Sequence, residues 1–231
     1  AFLRIGNLLA PIPLPLLKEM TLRSAPLLLN ETIYSASYAA VVQSLSLRGI
    51  AAVAAYSIAS NVTQLFFIVL ISVGVSLGIL VGNQLGAGNF DEARVTNTRM
   101  TALAIGVCVV TGFVLLPVSV WFPRIFNITP EVRQITGSLI RVVACLMPIR
   151  GFTHSAYYTL RAGGKTMHTL FYDGGYVTLI CLPVTYILAH FTSLPIVPLY
   201  AVCLALELSK SIVGYYWVKK EIWVRCVVFD N

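Results

Sequence analysis

Residues 49–90 read GIAAVAAYSIASNVTQLFFIVLISVGVSLGILVGNQLGAGNF, without one Asp, Glu, Lys or Arg. A helix crosses the hydrocarbon of a bilayer with about 20 apolar residues, whereas apolar runs in soluble proteins stop well short of this. The stretch therefore predicts a membrane-spanning helix followed by a glycine-rich turn. Two further charge-free runs flank it downstream, at 100–123 and 174–206, the latter interrupted near Leu194–Pro195. Weaker segments complete six predicted spans, at about 24–44, 52–80, 100–122, 135–158, 169–191 and 196–218. The first is the least hydrophobic, because Asn30, Glu31, Thr32, Ser35 and Ser37 fall inside it.

Composition agrees with this reading. The chain has 231 residues, 58% hydrophobic and 11% charged, with a mean hydropathy of +0.84. Soluble domains carry roughly 25% charged residues, and a disordered chain needs low hydrophobicity. Five cysteines (Cys108, Cys145, Cys181, Cys203 and Cys226) are widely spaced and form no CxxC pair, which argues against a disulfide framework and a zinc site. The fold class is thus all-α: a polytopic membrane lobe of six helices at 24–218. Residues 1–23 form a linker and cytoplasmic entry, and 219–231 a cytoplasmic tail. Within the linker, Pro11, Pro13 and Pro15 make residues 1–17 read as extended. The start at Ala1 instead of Met leads us to expect an upstream part.

Basic residues orient the lobe. Eleven of the sixteen Lys and Arg lie on the side of the two termini, and three (Arg48, Arg124 and Arg133) lie on the opposite side. By the positive-inside rule both termini are expected in the cytoplasm of a multi-pass cell-membrane protein. The net charge of +7 follows from this asymmetry. The basic residues are scattered over loops, so a nucleic-acid partner is not expected.

Ionisable groups inside spans are costly and usually face a cavity or a partner. Glu31 leads, near mid-span beside Asn30 and about one turn beyond Pro26, which interrupts the helical ladder. A buried carboxylate there exchanges a proton or binds a small cation; the bland alternative is a hydrogen bond to a neighbouring helix. Asp173 reads as an acid at the start of its helix. Glu207 reads as a local partner of Lys210, three residues on. Arg141 and Arg150 either snorkel or pair across the bundle. Between Pro148 and Gly151 the helix is expected to be irregular. In the second span Ser57, Asn61 and Gln64 form a polar seam, which bonds a neighbouring helix or lines an aqueous cavity. Tyr34 and Tyr38 share a face with Glu31, and Tyr157 and Tyr158 end the fourth span. Aromatic rings beside a carboxylate suit organic cations, although most such tyrosines are packing or interface anchors. The candidate cavity residues are therefore Asn30, Tyr34, Tyr38, Asn61 and Gln64, with Glu31 for coupling.

Gly74, Gly78 and Gly82 make overlapping GxxxG spacings that favour close helix approach. The run from Gly82 to Asn89 lacks the Gly-Lys-Ser/Thr ending of a phosphate loop and follows a membrane helix, so nucleotide binding is rejected. His154, His168 and His190 are too dispersed for a metal site. No nucleophile–base pair is apparent, so an enzyme and a bound cofactor are not expected.

The order of these features resembles the multidrug and toxic compound extrusion (MATE) family, and its C-terminal six-helix half in particular. The resemblance rests on Pro26 with Asn30-Glu31, on Ala51-Ala52-Val53-Ala54-Ala55-Tyr56, and on Val81 to Asn89 followed by Glu92-Ala93. It continues through Leu160-Arg161-Ala162-Gly163-Gly164-Lys165-Thr166, Asp173, Pro183, Glu207, Lys210 and Trp223. It implies a twelve-helix transporter of two lobes, exporting small organic cations or drugs against sodium ions or protons. Glu31 would be the coupling carboxylate, and a six-helix N-terminal lobe would be the missing partner. The chain departs from some members by lacking an aspartate in the span at 135–158 and by carrying Lys165 after Gly163-Gly164. The missing aspartate counts against a C-lobe sodium site, whereas Lys165 lies on the cytoplasmic side. Two alternatives stay open: a flippase for lipid-linked precursors, with a more cationic cavity, and a non-transporting membrane scaffold.

Overall fold

A computed structural model describes residues 14–224. Among them the chain forms six long helices, α1 (Leu14–Ser46), α2 (Ile50–Gly86), α3 (Phe90–Trp121), α4 (Pro130–Ala162), α5 (Thr166–Phe191) and α6 (Ile196–Lys219). Five of them, α2 to α6, are long and apolar enough to cross a membrane. α1 is equally long, but its polar middle keeps it below that hydropathy. Two of its polar groups are used inside the bundle: Ser37 bonds Thr178 at 2.7 Å, and Asn30 Oδ1 accepts the Gly174 N–H at 2.9 Å.

α1 begins well before residue 24, so residues 14–17, expected to be extended, are helical. Pro15 lies in the first turn, where a missing N–H breaks no intrahelical bond. Pro11 and Pro13 of the expected linker, Arg4, and the tail from Arg225 on lie outside the described residues. At the other end, residues 220–224 are not a free tail. They turn back so that Trp223, 2% exposed, packs with Leu77, Val81, Leu85 and Ala93. Its indole N–H donates to the Val218 carbonyl at 3.2 Å.

α4 is the central helix, packed against α2, α3 and α6. It runs without a break through Pro148 and Gly151, where irregularity was expected. Pro148 leaves the carbonyl of residue 144 without its helical donor. Gly112 of α3 packs on that carbonyl so closely that a Cβ would lie 2.7 Å from it. Gly137 and Gly151 allow similar approaches to the Ser119 and Ala104 carbonyls of α3. Close helix contact is therefore made between α3 and α4. The GxxxG glycines of α2 serve otherwise: Gly74 and Gly78 receive the Tyr158 ring, and Gly82 has nothing within 4 Å.

α5 departs from α-helical geometry. Two π-helical turns, Phe171–Gly175 and Val177–Cys181, precede Pro183. π turns widen the helix, free backbone donors and often mark functional sites. Large apolar side chains such as Leu65, Val110, Phe113, Ile187 and Ile212 are exposed, as on a surface that faces lipid.

Candidate functional site

Asn30 and Glu31 are adjacent on α1, and successive helical residues point about 100° apart. Asn30 is fully buried against α5, where it takes the N–H that the π turn offers at Gly174. Glu31 consequently turns away from the core and is exposed instead of buried. Its carboxylate Oε1 accepts a hydrogen bond of 3.1 Å from the Tyr157 hydroxyl of α4. The Tyr157 oxygen in turn meets Asn30 Nδ2 at 3.5 Å, at the limit of a hydrogen bond. The Asn30–Tyr157–Glu31 chain thus joins α1, α4 and α5.

Glu31 lines a cavity of about 240 Å³ with Tyr34, Phe67, His154, Tyr157 and Arg161. Asp173, Glu207 and Lys210 complete its charged wall. Three acids and two bases therefore front this space, along with aromatic faces. Lys210 and the nearby Arg150 are both paired. Lys210 Nζ contacts Asp173 at 2.6 Å, and Arg150 donates to Glu207 at 2.9 Å. Lys210 also lies 4.0 Å from Glu207, which links both pairs into one network across α4, α5 and α6. Its side chains are only 5–18% exposed. Taking charges out of water is costly, and only pairing makes it tolerable.

This network corrects two expectations. Asp173 sits inside a π turn, beyond the first turn of its helix, and serves as a cross-helix partner. Glu207 keeps its neighbour Lys210 at 4.0 Å, but its closer partner is Arg150, 57 residues away, at 2.9 Å. Of the two arginines in the middle of α4, Arg141 and Arg150, the former only reaches the Ser119 hydroxyl, at 3.3 Å. Charged residues recurring in three apolar spans were the available signal, but pairing them required the fold.

The remaining candidates separate. Tyr34 stacks on Tyr38, with ring centres 6.0 Å apart, and reaches the Glu31 cavity. Tyr38 bonds the Tyr56 hydroxyl at 3.0 Å and lines a second, narrow cavity of about 20 Å³. Tyr56, Tyr200, Cys181 and Glu207 also line it. Asn61 and Gln64 are not brought to Glu31. They front an open groove beside Phe122 and Phe126, where Gln64 bonds Ser60 at 3.1 Å. Among the described residues no cluster of three metal-ligating side chains occurs.

Comparison with known proteins places this geometry in context. The family described as MatE matches residues 26–191. The multidrug resistance protein MdtK of Yersinia enterocolitica is 31% identical over 141 residues, which cover 61% of this chain and 28% of MdtK. The probable multidrug resistance protein YoeA of Bacillus subtilis is 25% identical over 207 residues, covering 85% of this chain and 44% of YoeA. The chain spans less than half the length of these relatives. A MOP superfamily transporter from Pyrococcus furiosus shares the fold with a TM-score of 0.81 at 17% identity, covering 90% of this chain and 47% of that one. A crystal structure of a MATE protein in a straight conformation gives 0.81 at 15% identity, covering 92% and 48%.

Proposed function

The chain belongs to the MatE family, and from that premise we propose that it forms one six-helix lobe of a secondary active transporter exporting organic cations and drugs. Sodium ions or protons entering the cell would drive export, and Glu31 would couple the two movements. The observation that carries this reading is the Glu31 carboxylate, held by Tyr157 on the wall of a cavity that also presents Tyr34 and Phe67. A fixed anion beside aromatic faces attracts an organic cation by charge and by cation–π contact. The same carboxylate attracts a small cation or proton, so substrate and coupling ion compete for one group. Competition of this kind makes export depend on ion entry.

The relatives named as multidrug resistance proteins support the substrate class. A second lobe, absent from this chain, would close the cavity, and rocking of the lobes would expose it alternately to each side. Both termini are placed in the cytoplasm, on the strength of the basic residues in the loops of that side. The mixed charge of the cavity, with Glu31, Asp173 and Glu207 beside Arg161 and Lys210, supports this reading over a lipid-linked-precursor flippase.

The test uses the full-length transporter that carries this chain, reconstituted in liposomes. Efflux of a fluorescent organic cation should follow an imposed sodium or proton gradient, and Glu31→Gln should abolish the dependence. Coupled efflux that survives this substitution at the full rate would remove Glu31 from the role.

A further inference from the structure

Glu207 stands where two cavities meet. On one side it lines the wide cavity with Glu31, His154 and Lys210, and on the other the narrow cavity with Tyr38, Tyr56 and Tyr200. The lining residues place these cavities in succession along the lobe. Residues 31–34 of α1 front the wide one and residues 38–45 the narrow one, and in α5 the corresponding positions are 173 and 177–181. Between them Glu207 Oε2 accepts the 2.9 Å bond from Arg150, while Oε1 has its nearest cation 4.0 Å away at Lys210. We propose that Glu207 is a second proton-exchange site, in series with the Glu31 cavity, and that its ion pair with Arg150 is the gate between the two spaces.

The chemistry selects a proton over a metal cation. The narrow cavity, at about 20 Å³, has room for about one water, too little for a hydrated sodium ion. A metal cation at Glu207 would also meet Arg150 and Lys210. A proton needs neither space nor removal of those groups. Hydronium in the wide cavity passes its proton to Glu207 Oε1 and becomes water. The neutral carboxyl then no longer holds Arg150, and the gate loosens. The proton next moves to a water in the narrow cavity, which restores the carboxylate and re-forms the pair.

The groups around Glu207 fit this sequence. From α4 it meets Arg150 and His154, and from α6 Lys210 and Tyr200. Tyr34 and Tyr38 face it from α1, Tyr56 from α2, and Asp173 and Cys181 from α5. His154 Nδ1 is buried without a protein partner. It lies on the wide-cavity wall, 4.7 Å from the Phe67 ring centre by its own, and offers a proton acceptor on the approach to Glu207.

This inference rests on the efflux reading for its consequence in transport, but protonation of Glu207 is read independently. In the full-length transporter, infrared difference spectra across a pH step should contain a protonated-carboxyl band that Glu207→Gln removes and Glu31→Gln retains. Proton-driven efflux by Glu207→Gln should fall more than about tenfold. The double variant Arg150→Gln/Glu207→Gln strands no charge, so it should fold and show the same loss. A band unaffected by Glu207→Gln, or full proton-driven efflux by the double variant, overturns the proposal and leaves the role of Glu31 standing. Efflux driven by sodium alone also overturns it. No coupled efflux by the unaltered protein counts instead against the efflux reading, while the infrared band still decides the protonation of Glu207.

Discussion

The Tyr157 hydroxyl donates to the Glu31 carboxylate at 3.1 Å, from a helix 126 positions further along the chain. This bond makes the orientation of an exposed acid depend on a largely buried aromatic, because the Tyr157 side chain is locked in the core while Glu31 faces the cavity. Tyr157→Phe keeps the packing and removes only the donor. Stability should change by about 1 kcal/mol, whereas the ion concentration that gives half-maximal efflux should rise severalfold. Titration of efflux against sodium and proton concentration separates these effects, and an unchanged midpoint counts against the positioning role of Tyr157.

The Asp173–Lys210 contact gives a prediction about stability. Asp173→Asn removes the close partner of a buried ammonium, leaving only Glu207 at 4.0 Å, and should destabilise the lobe by about 3 kcal/mol. Pairing it with Lys210→Met should recover much of that loss. Thermal unfolding in detergent, run as a double-mutant cycle, measures the coupling. Additive effects of the two substitutions would mean that the contact contributes nothing specific.

Glycine positions that look alike in sequence should respond differently. A Cβ at Gly112 would lie 2.7 Å from the Ala144 carbonyl, so Gly112→Ala should cost about 1–3 kcal/mol through overpacking. Nothing lies within 4 Å of a Cβ at Gly82, and Gly82→Ala should stay within about 0.5 kcal/mol of the parent. Equal melting temperatures for the two variants would contradict this assignment of the α3–α4 contact.

Trp223→Ala should undock residues 220–224, at a cost of about 3–5 kcal/mol, and should make this segment accessible to protease. The Arg94–Glu221 pair beside it, at 2.9 Å, is exposed. Glu221→Gln should leave the melting temperature unchanged. Proteolysis and calorimetry of the two variants show whether burial of the indole or the ion pair holds the segment.

Membrane orientation is checked by thiol labelling. In a background without native cysteines, a cysteine replacing Gly88 should react with an impermeant reagent only from the cytoplasmic side. One replacing Asn127 should react only from the opposite side. Reversed accessibility would overturn the placement of both termini.

The membrane class and the long helices were legible in the residues, because the transfer of apolar side chains into lipid is local and nearly additive. Residues 49–90 announce a spanning helix whatever surrounds them, and the motifs from Pro26 to Trp223 pointed to the MatE family. Glu31 stood out because a carboxylate is expensive in an apolar span. Its surroundings could not be read from a regular periodicity. Two π turns in α5 shift the faces of the following residues, and Asn30, not Glu31, takes the buried direction on α1. Only the tertiary structure decided that Glu207 pairs with Arg150 and Asp173 with Lys210, partners 57 and 37 residues apart. Pairing of buried charges depends on which helices pack together. That packing is set by small-residue contacts such as Gly112 on Ala144, which no local pattern records.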